Sequence, residues 1–142
     1  MSRYEVSTPS KSESETYPAA DGTHYDLKTR LEISELRSQV WYFDPGEVSI
    51  YHLHRQQEEL YYLIDGPAQM RLGQGDDEEI IEVTERSTVK IEPGVPRQLL
   101  NETNSPTEWL VVAAPNVREA EIYHDKRGEF LPLDEFMEEV EE

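Results

Sequence analysis

The sequence contains no cysteine. That excludes a disulfide framework, a thiolate nucleophile and cysteine-ligated zinc. Positive charge is also scarce. Nine arginines and four lysines stand against 31 acidic residues, giving a formal net charge of −18 over 142 residues. The imbalance is not confined to a tail. The last twelve residues hold six acids and no base, and without them 25 acids still face 13 bases. Nucleic acid and anionic membrane would both be repelled by such a surface, so neither is expected as a partner. Long apolar runs are missing too. No window suits a bilayer span, and the N-terminus lacks the apolar core of a secretory signal. A cytoplasmic protein is therefore expected. A carboxylate-dense surface with few lysines points to a salt-loving microbe, where concentrated salt screens the self-repulsion.

What is present suits one domain with one core. Residues 1–23 are rich in Ser, Thr, Glu and Pro (STPSKSESETYPAADGT) and are expected to be flexible or to drape over the body, with Tyr4 and Tyr17 as anchors. Leu27 to Leu36 reads as either a strand or a short helical turn. From Gln39 onward, short strands alternate with turn signals. They are expected at Gln39–Phe43, Glu47–His54, Glu58–Ile64, Ala68–Leu72, Glu79–Val83, Thr88–Ile91, Arg97–Asn101 and Glu108–Ala113. That spacing implies an all-β antiparallel sandwich or barrel, placed at residues 24–118. Residues 119–142 form an acidic segment. In it Leu133, Phe136, Met137 and Val140 recur at helical spacing, with Asp134 as N-cap, so one short helix is expected. Glu58–Ile64 is apolar on both faces, because Leu60, Tyr62 and Ile64 oppose Tyr61 and Leu63. The outer face then needs cover from the N-terminal segment or a second subunit.

Of four histidines, two fall in the stretch GEVSIYHLHRQQEELYYLIDG. Side chains alternate along a strand, so His52 and His54 share a face, as do Glu59, Tyr61 and Leu63. Hairpin pairing of these two strands would bring Glu59 to the imidazoles. Two histidines and one carboxylate make a facial triad for a divalent metal with open positions. Iron, manganese, nickel, zinc, cobalt and copper all remain candidates. The alternative is a polar pocket in which Glu59 is only a hydrogen-bond partner. His24 and His124 are expected at the surface. The aromatic strand residues, Trp41 among them, are expected to pack in the core or an interface, with Tyr61 placed to donate a hydrogen bond to a ligand.

The spacing resembles the first motif of the cupin superfamily: glycine, five residues, His-x-His, three or four residues, glutamate, six residues, glycine. Here Gly46, His52, His54, Glu59 and Gly66 fill every fixed position. A second cupin motif is partly matched by RSTVKIEPGVPRQLLN. Gly94 and Asn101 fit, while Arg86 stands at the glycine, Glu92 at the first proline and Arg97 at the histidine. The resemblance implies a double-stranded β-helix, a jelly-roll barrel. It implies a metal on His52, His54 and Glu59, and a ligand near Arg97, Tyr61 and Asn101. Homodimers are common in that family.

Arg97 replaces what would be a fourth ligand. A guanidinium has only donors and cannot ligate. Pointing inward, Arg97 should attract an anionic group or pair with Glu59 or Glu58. Three readings follow: a metal held by the remaining three residues, a metal-free pocket in which Arg97 neutralises Glu59 and binds an anionic group, or a relict site in a packing protein. The function expected is metal-dependent action on, or simple binding of, a small anionic or polar molecule. Cupin chemistry is too varied for the fold to choose between an enzyme and a binding module.

Overall fold

Alternation of apolar and polar residues does set the strands. In the computed structural model, which describes residues 3–141, β1 (Thr23–Asp26), α1 (Leu27–Arg30), β2 (Arg37–Phe43), β3 (His52–Leu53) and β4 (Glu58–Asp65) come first. There follow β5 (Ala68–Leu72), β6 (Glu79–Val83), β7 (Thr88–Ile91), β8 (Arg97–Leu100), β9 (Thr107–Ala114), β10 (Glu121–His124), β11 (Glu129–Pro132) and α2 (Leu133–Glu141). One sheet has the order β1-β2-β9-β4-β7 and the other β11-β10-β3-β8-β5-β6, with antiparallel pairing throughout. This is a double-stranded β-helix.

The sheets pack face to face. Alternate residues of β4 and β9 point inward: Tyr61 and Leu63 from the first, Trp109 and Val111 from the second. They meet Met70, Leu99 and Val83 of the opposite sheet. Trp109, Leu63, Met70 and Ala68 are wholly buried. Each large apolar side chain removed from water in this way stabilises the fold by roughly 1.5–3 kcal/mol. This core fills one end of the sandwich and leaves the other free for polar side chains.

The expected strand Glu47–His54 is mostly not a ladder. Only His52–Leu53 pairs regularly, with an isolated bridge from Val48 to Leu100. The cause is Ser49, whose hydroxyl accepts the Leu99 N–H at 2.8 Å and takes a bond that a backbone carbonyl would otherwise receive. Nor do β3 and β4 form a hairpin. They lie in different sheets, so residues 55–57 cross from one layer to the other.

The ends differ from expectation as well. The chain of strands does not stop at 118, because β10 pairs with β3 and β11 with β10. β1 pairs along β2. Helix α2 starts at Leu133, so Asp134 sits in its first turn rather than at the cap and still complements the helix dipole there. Phe136, Leu133 and Met137 pack on Ile122, Leu131 and Ile50. The 27–36 stretch holds the four-residue helix α1, whose Leu27 joins Tyr25, Val40 and Tyr42 over the outer side of β2. Residues ahead of β1 run along the body. Glu15 and His24 exchange two backbone hydrogen bonds of 2.8 Å, and Tyr17 sets its ring edge against Trp41 and His24. His24 itself stacks on Trp41. The outer side of β4 stays open, with Leu60 45% and Ile64 36% exposed. Among the described residues no helix is long and apolar enough to cross a membrane.

Two backbone positions shape the second motif. Gly94 has φ +88°, and its N–H reaches the His54 carbonyl at 2.6 Å, tying the turn before β8 to the histidine strand. Arg86 occupies the same left-handed region at φ +72°. The family pattern has glycine at that position, and a side chain there costs roughly 1–2 kcal/mol.

Candidate metal centre

Three groups from two layers converge at the polar end of the sandwich. His52 and His54 enter around β3 of one sheet and Glu59 on β4 of the other. The ligand-capable atoms of the three all lie within 4.8 Å of one another. No other group of three or more histidines, cysteines or acids gathers in this way among the described residues. The two imidazole rings stand 5.0 Å apart at 84°.

Neighbouring carbonyls fix which nitrogen of each ring is free. Nδ1 of His52 faces the Ile50 carbonyl oxygen at 3.0 Å, and Nδ1 of His54 faces that of Glu119 at 2.6 Å. A carbonyl only accepts, so each Nδ1 carries the proton and donates. Both Nε2 atoms therefore present lone pairs. Burial pushes the His52 pKa down to about 4, with the adjacent His54 adding to the effect against the pull of Glu59. His54 is lowered by burial too, opposed by Glu59. Both rings stay neutral at physiological pH.

Glu59 is held by one oxygen. The Tyr61 hydroxyl donates to Oε1 at 2.6 Å and an Arg97 N–H donates to the same atom at 2.9 Å. Burial raises the Glu59 pKa, and the Arg97 charge and the Tyr61 hydrogen bond act against it and hold the carboxyl below its usual value. The group is ionised. Burial and the Glu59 charge in turn push the Tyr61 hydroxyl well above its ordinary range, so it remains a donor. Oε2 is left facing His54 Nε2 at 3.6 Å. Two acceptors thus meet with no hydrogen between them. Opposed lone pairs of this kind are the donor set a cation satisfies, and the carbonyls and hydroxyl that hold these groups from behind are the partners that orient metal ligands.

The groups assigned to a ligand from sequence fall in different places. Tyr61 lines the cavity in front of the triad. Arg97 does not. It is fully buried, lies directly across from His52 on the neighbouring strand, and donates to Glu59 and to the Glu92 carbonyl. It secures the carboxylate and is not placed to orient a ligand. Asn101 is structural. Its amide donates to the carbonyls of Phe43 and Ser105, and its oxygen accepts from Thr103. It locks the turn after β8 and does not reach the cavity.

That cavity has a volume of about 120 Å³. Arg37, Gln39 and Trp41 form one wall from β2, and Tyr17, Arg118 and Leu133 contribute from the flanking segments. Trp41, expected to pack in the core or an interface, does pack against the core and also forms part of the cavity wall. Glu119 is the largest omission from the sequence reading. Its carboxylate accepts from the N–H groups of Arg55, Gln56 and Gln57 while its carbonyl holds His54. It steadies the crossing between the layers, and nothing in its local sequence distinguishes it from a solvated acid. The shared face of Gln39 and Trp41 could have been read from strand alternation.

The cupin-domain family model matches residues 39–113, more than half of the chain. No curated protein matches by sequence. Solved structures do. An uncharacterised protein with a double-stranded β-helix domain from Klebsiella pneumoniae is 19% identical, with a TM-score of 0.67 over 83% of this chain and 97% of that one. A cupin protein from Bacteroides fragilis is 19% identical, with a TM-score of 0.65 over 82% of this chain and 87% of that one. Oxalate decarboxylase from Bacillus subtilis, a protein with Mn(II) centres, is 18% identical, with a TM-score of 0.64 over 78% of this chain and 30% of that one. With a matched cupin domain folded as two facing antiparallel sheets, the chain belongs to the cupin superfamily.

Proposed function

We propose that this cupin binds one divalent metal ion through His52 Nε2, His54 Nε2 and Glu59 Oε2, and that the ion serves a small molecule in the adjoining cavity. The observation that carries this reading is the convergence of three lone pairs with no donor among them. Bound there, a metal would supply a Lewis-acid or redox centre with open coordination positions. The protein's own groups do the rest. Ile50 and Glu119 hold the ring tautomers, Tyr61 and Arg97 fix the carboxylate, and the apolar wall keeps bulk water away. The metal-free reading needs Arg97 to hold an anion in the cavity, and Arg97 is absent from its lining. Nitrogen and carboxylate ligands suit manganese, iron, nickel, cobalt, zinc and copper alike.

Metal content decides the matter. Protein made without a histidine tag in metal-replete medium should carry close to one ion per chain by elemental analysis. Occupancy below about a tenth would end the metal reading, because a folded site with its ligands already deprotonated should load in replete medium.

A second copy of the chain is the cover we propose for the open side of β4. Leu60, Tyr62 and Ile64 continue across the sheet into Val112 and Leu110, forming one apolar row. A two-fold axis through that row would bury it against itself. Sedimentation in high salt, where the −18 charge is screened, should give a dimer that Leu60→Glu converts to monomer. A monomeric parent protein at about 0.1 mM under those conditions would refute it.

A further inference from the structure

The cavity of this strongly negative protein is lined by two arginines that have no carboxylate partner among the described residues. Arg30, Arg55, Arg71, Arg97 and Arg127 each lie within 4.0 Å of a glutamate oxygen. Arg37 and Arg118, which line the cavity, face no carboxylate within that distance among the described residues. The same holds for Arg3 and Arg86, but neither of them lines the cavity.

Arg37 is also held in place. One of its N–H groups donates to Gln57 Oε1 at 3.1 Å. Gln57 is wholly buried and is itself fixed, its amide donating to the carbonyls of Pro115 at 3.0 Å and Val117 at 2.7 Å. A guanidinium has five donors, so most remain free, and its partner is neutral. Two residues along the same strand face, Gln39 accepts the Trp41 indole N–H at 2.9 Å. An indole only donates, so the oxygen of Gln39 is turned to Trp41 and its NH₂ is left over. No protein acceptor takes it among the described residues. A fixed guanidinium and a fixed amide thus stand side by side at a wall otherwise built from Trp41, Ile50, Val111 and Ile122.

Charge counting gives the valence of the metal-free cavity. Arg97, behind the wall, cancels Glu59, and Arg37 and Arg118 against Glu119 leave one positive charge. One excess cation suits a monoanion. Planar donors favour a carboxylate, which accepts two parallel N–H bonds. The apolar wall favours a hydrocarbon body behind it.

We propose that the cavity takes a small monocarboxylate with an apolar body, its carboxylate held by Arg37 and the Gln39 amide and its body laid against Trp41 and Ile122. The inference rests on the cavity being a small-molecule site, and it does not require the metal to be present. Arg118 at the rim draws the anion in and adds no fixed contact.

The test uses the full chain at constant ionic strength with three probes: benzoate, benzamide and inorganic phosphate. Tryptophan fluorescence reports binding, since Trp41 lines the cavity and Trp109 does not. Benzoate should bind about tenfold or more tightly than benzamide, the size expected for charge-assisted pairing. Arg37→Gln should erase that preference, and Arg118→Ala, at an exposed position that leaves the barrel intact, should slow association and steepen no other property. Equal affinity for benzoate and benzamide, tighter binding of phosphate, or an Arg37→Gln protein that keeps the preference would each overturn the proposal. Running the titration before and after chelation separates it from the metal reading. A benzoate preference in protein that never carried metal leaves this proposal standing alone. Full metal occupancy with no benzoate binding leaves the metal reading standing alone.

Discussion

Replacing Glu59 with leucine should destabilise the metal-free protein by about 3–5 kcal/mol, the cost of stranding one partner of a buried ion pair. The reason is the position of Arg97. Its side chain has no exposure, its Nε already lacks a partner, and its strongest contact is the Glu59 carboxylate at 2.9 Å. Leucine offers no acceptor to that guanidinium or to the Tyr61 hydroxyl. A domain of this size has roughly 5–15 kcal/mol in total, so the single variant will sit near the edge of folding. The double variant Glu59→Leu/Arg97→Met resolves the cause. With both charges gone, apolar replacements of similar volume are often neutral or better, so most of the loss should return. Urea unfolding in the presence of a chelator measures both. A single variant as stable as the parent would show that Arg97 finds another partner and that the pair does not hold this end of the barrel together.

Exchanging Arg97 for histidine should tighten metal binding by roughly 10–100-fold, because a repelling cation is replaced by a fourth ligand at its doorstep. The register makes this concrete. Arg97 and His52 are direct cross-strand neighbours, and side chains at such positions lie about 5 Å apart. The same change removes the Glu59 partner, so the metal-free variant should be less stable than the parent while saturating metal restores it. Competition against a chromophoric chelator gives the affinity, and melting temperature as a function of metal concentration gives the linkage. An unchanged affinity would mean that no ion is held between His52 and Glu59.

The sequence showed the triad because its members are local. His52, His54 and Glu59 fall within eight residues, and strand alternation alone puts each on an inward face. The route by which they meet was not legible. Hairpin pairing looked natural, yet the polar linker carries the chain between layers, and the group that permits this is Glu119, more than sixty residues from the linker it braces. Strands β1, β10 and β11 escaped notice for another reason. None of their sequences, THYD, EIYH and EFLP, alternates cleanly between apolar and polar, and β10 is held by pairing with β3, far away in the sequence. Arg97 is expected on the inner face either to pair with Glu59 or to bind an anionic group, and the structure shows the pairing. Sequence says that a side chain points inward but not how deep it lies, and depth is what separates a residue that meets a ligand from one that stands behind a carboxylate.

The two histidines belong to one layer and the glutamate to the other. An ion shared among them would therefore act as a rivet through both plates of the sandwich. The plates could not slide or gape at that end while it was in place, and it could not leave until they had parted, so the rate of its escape would be governed by the breathing of the whole barrel.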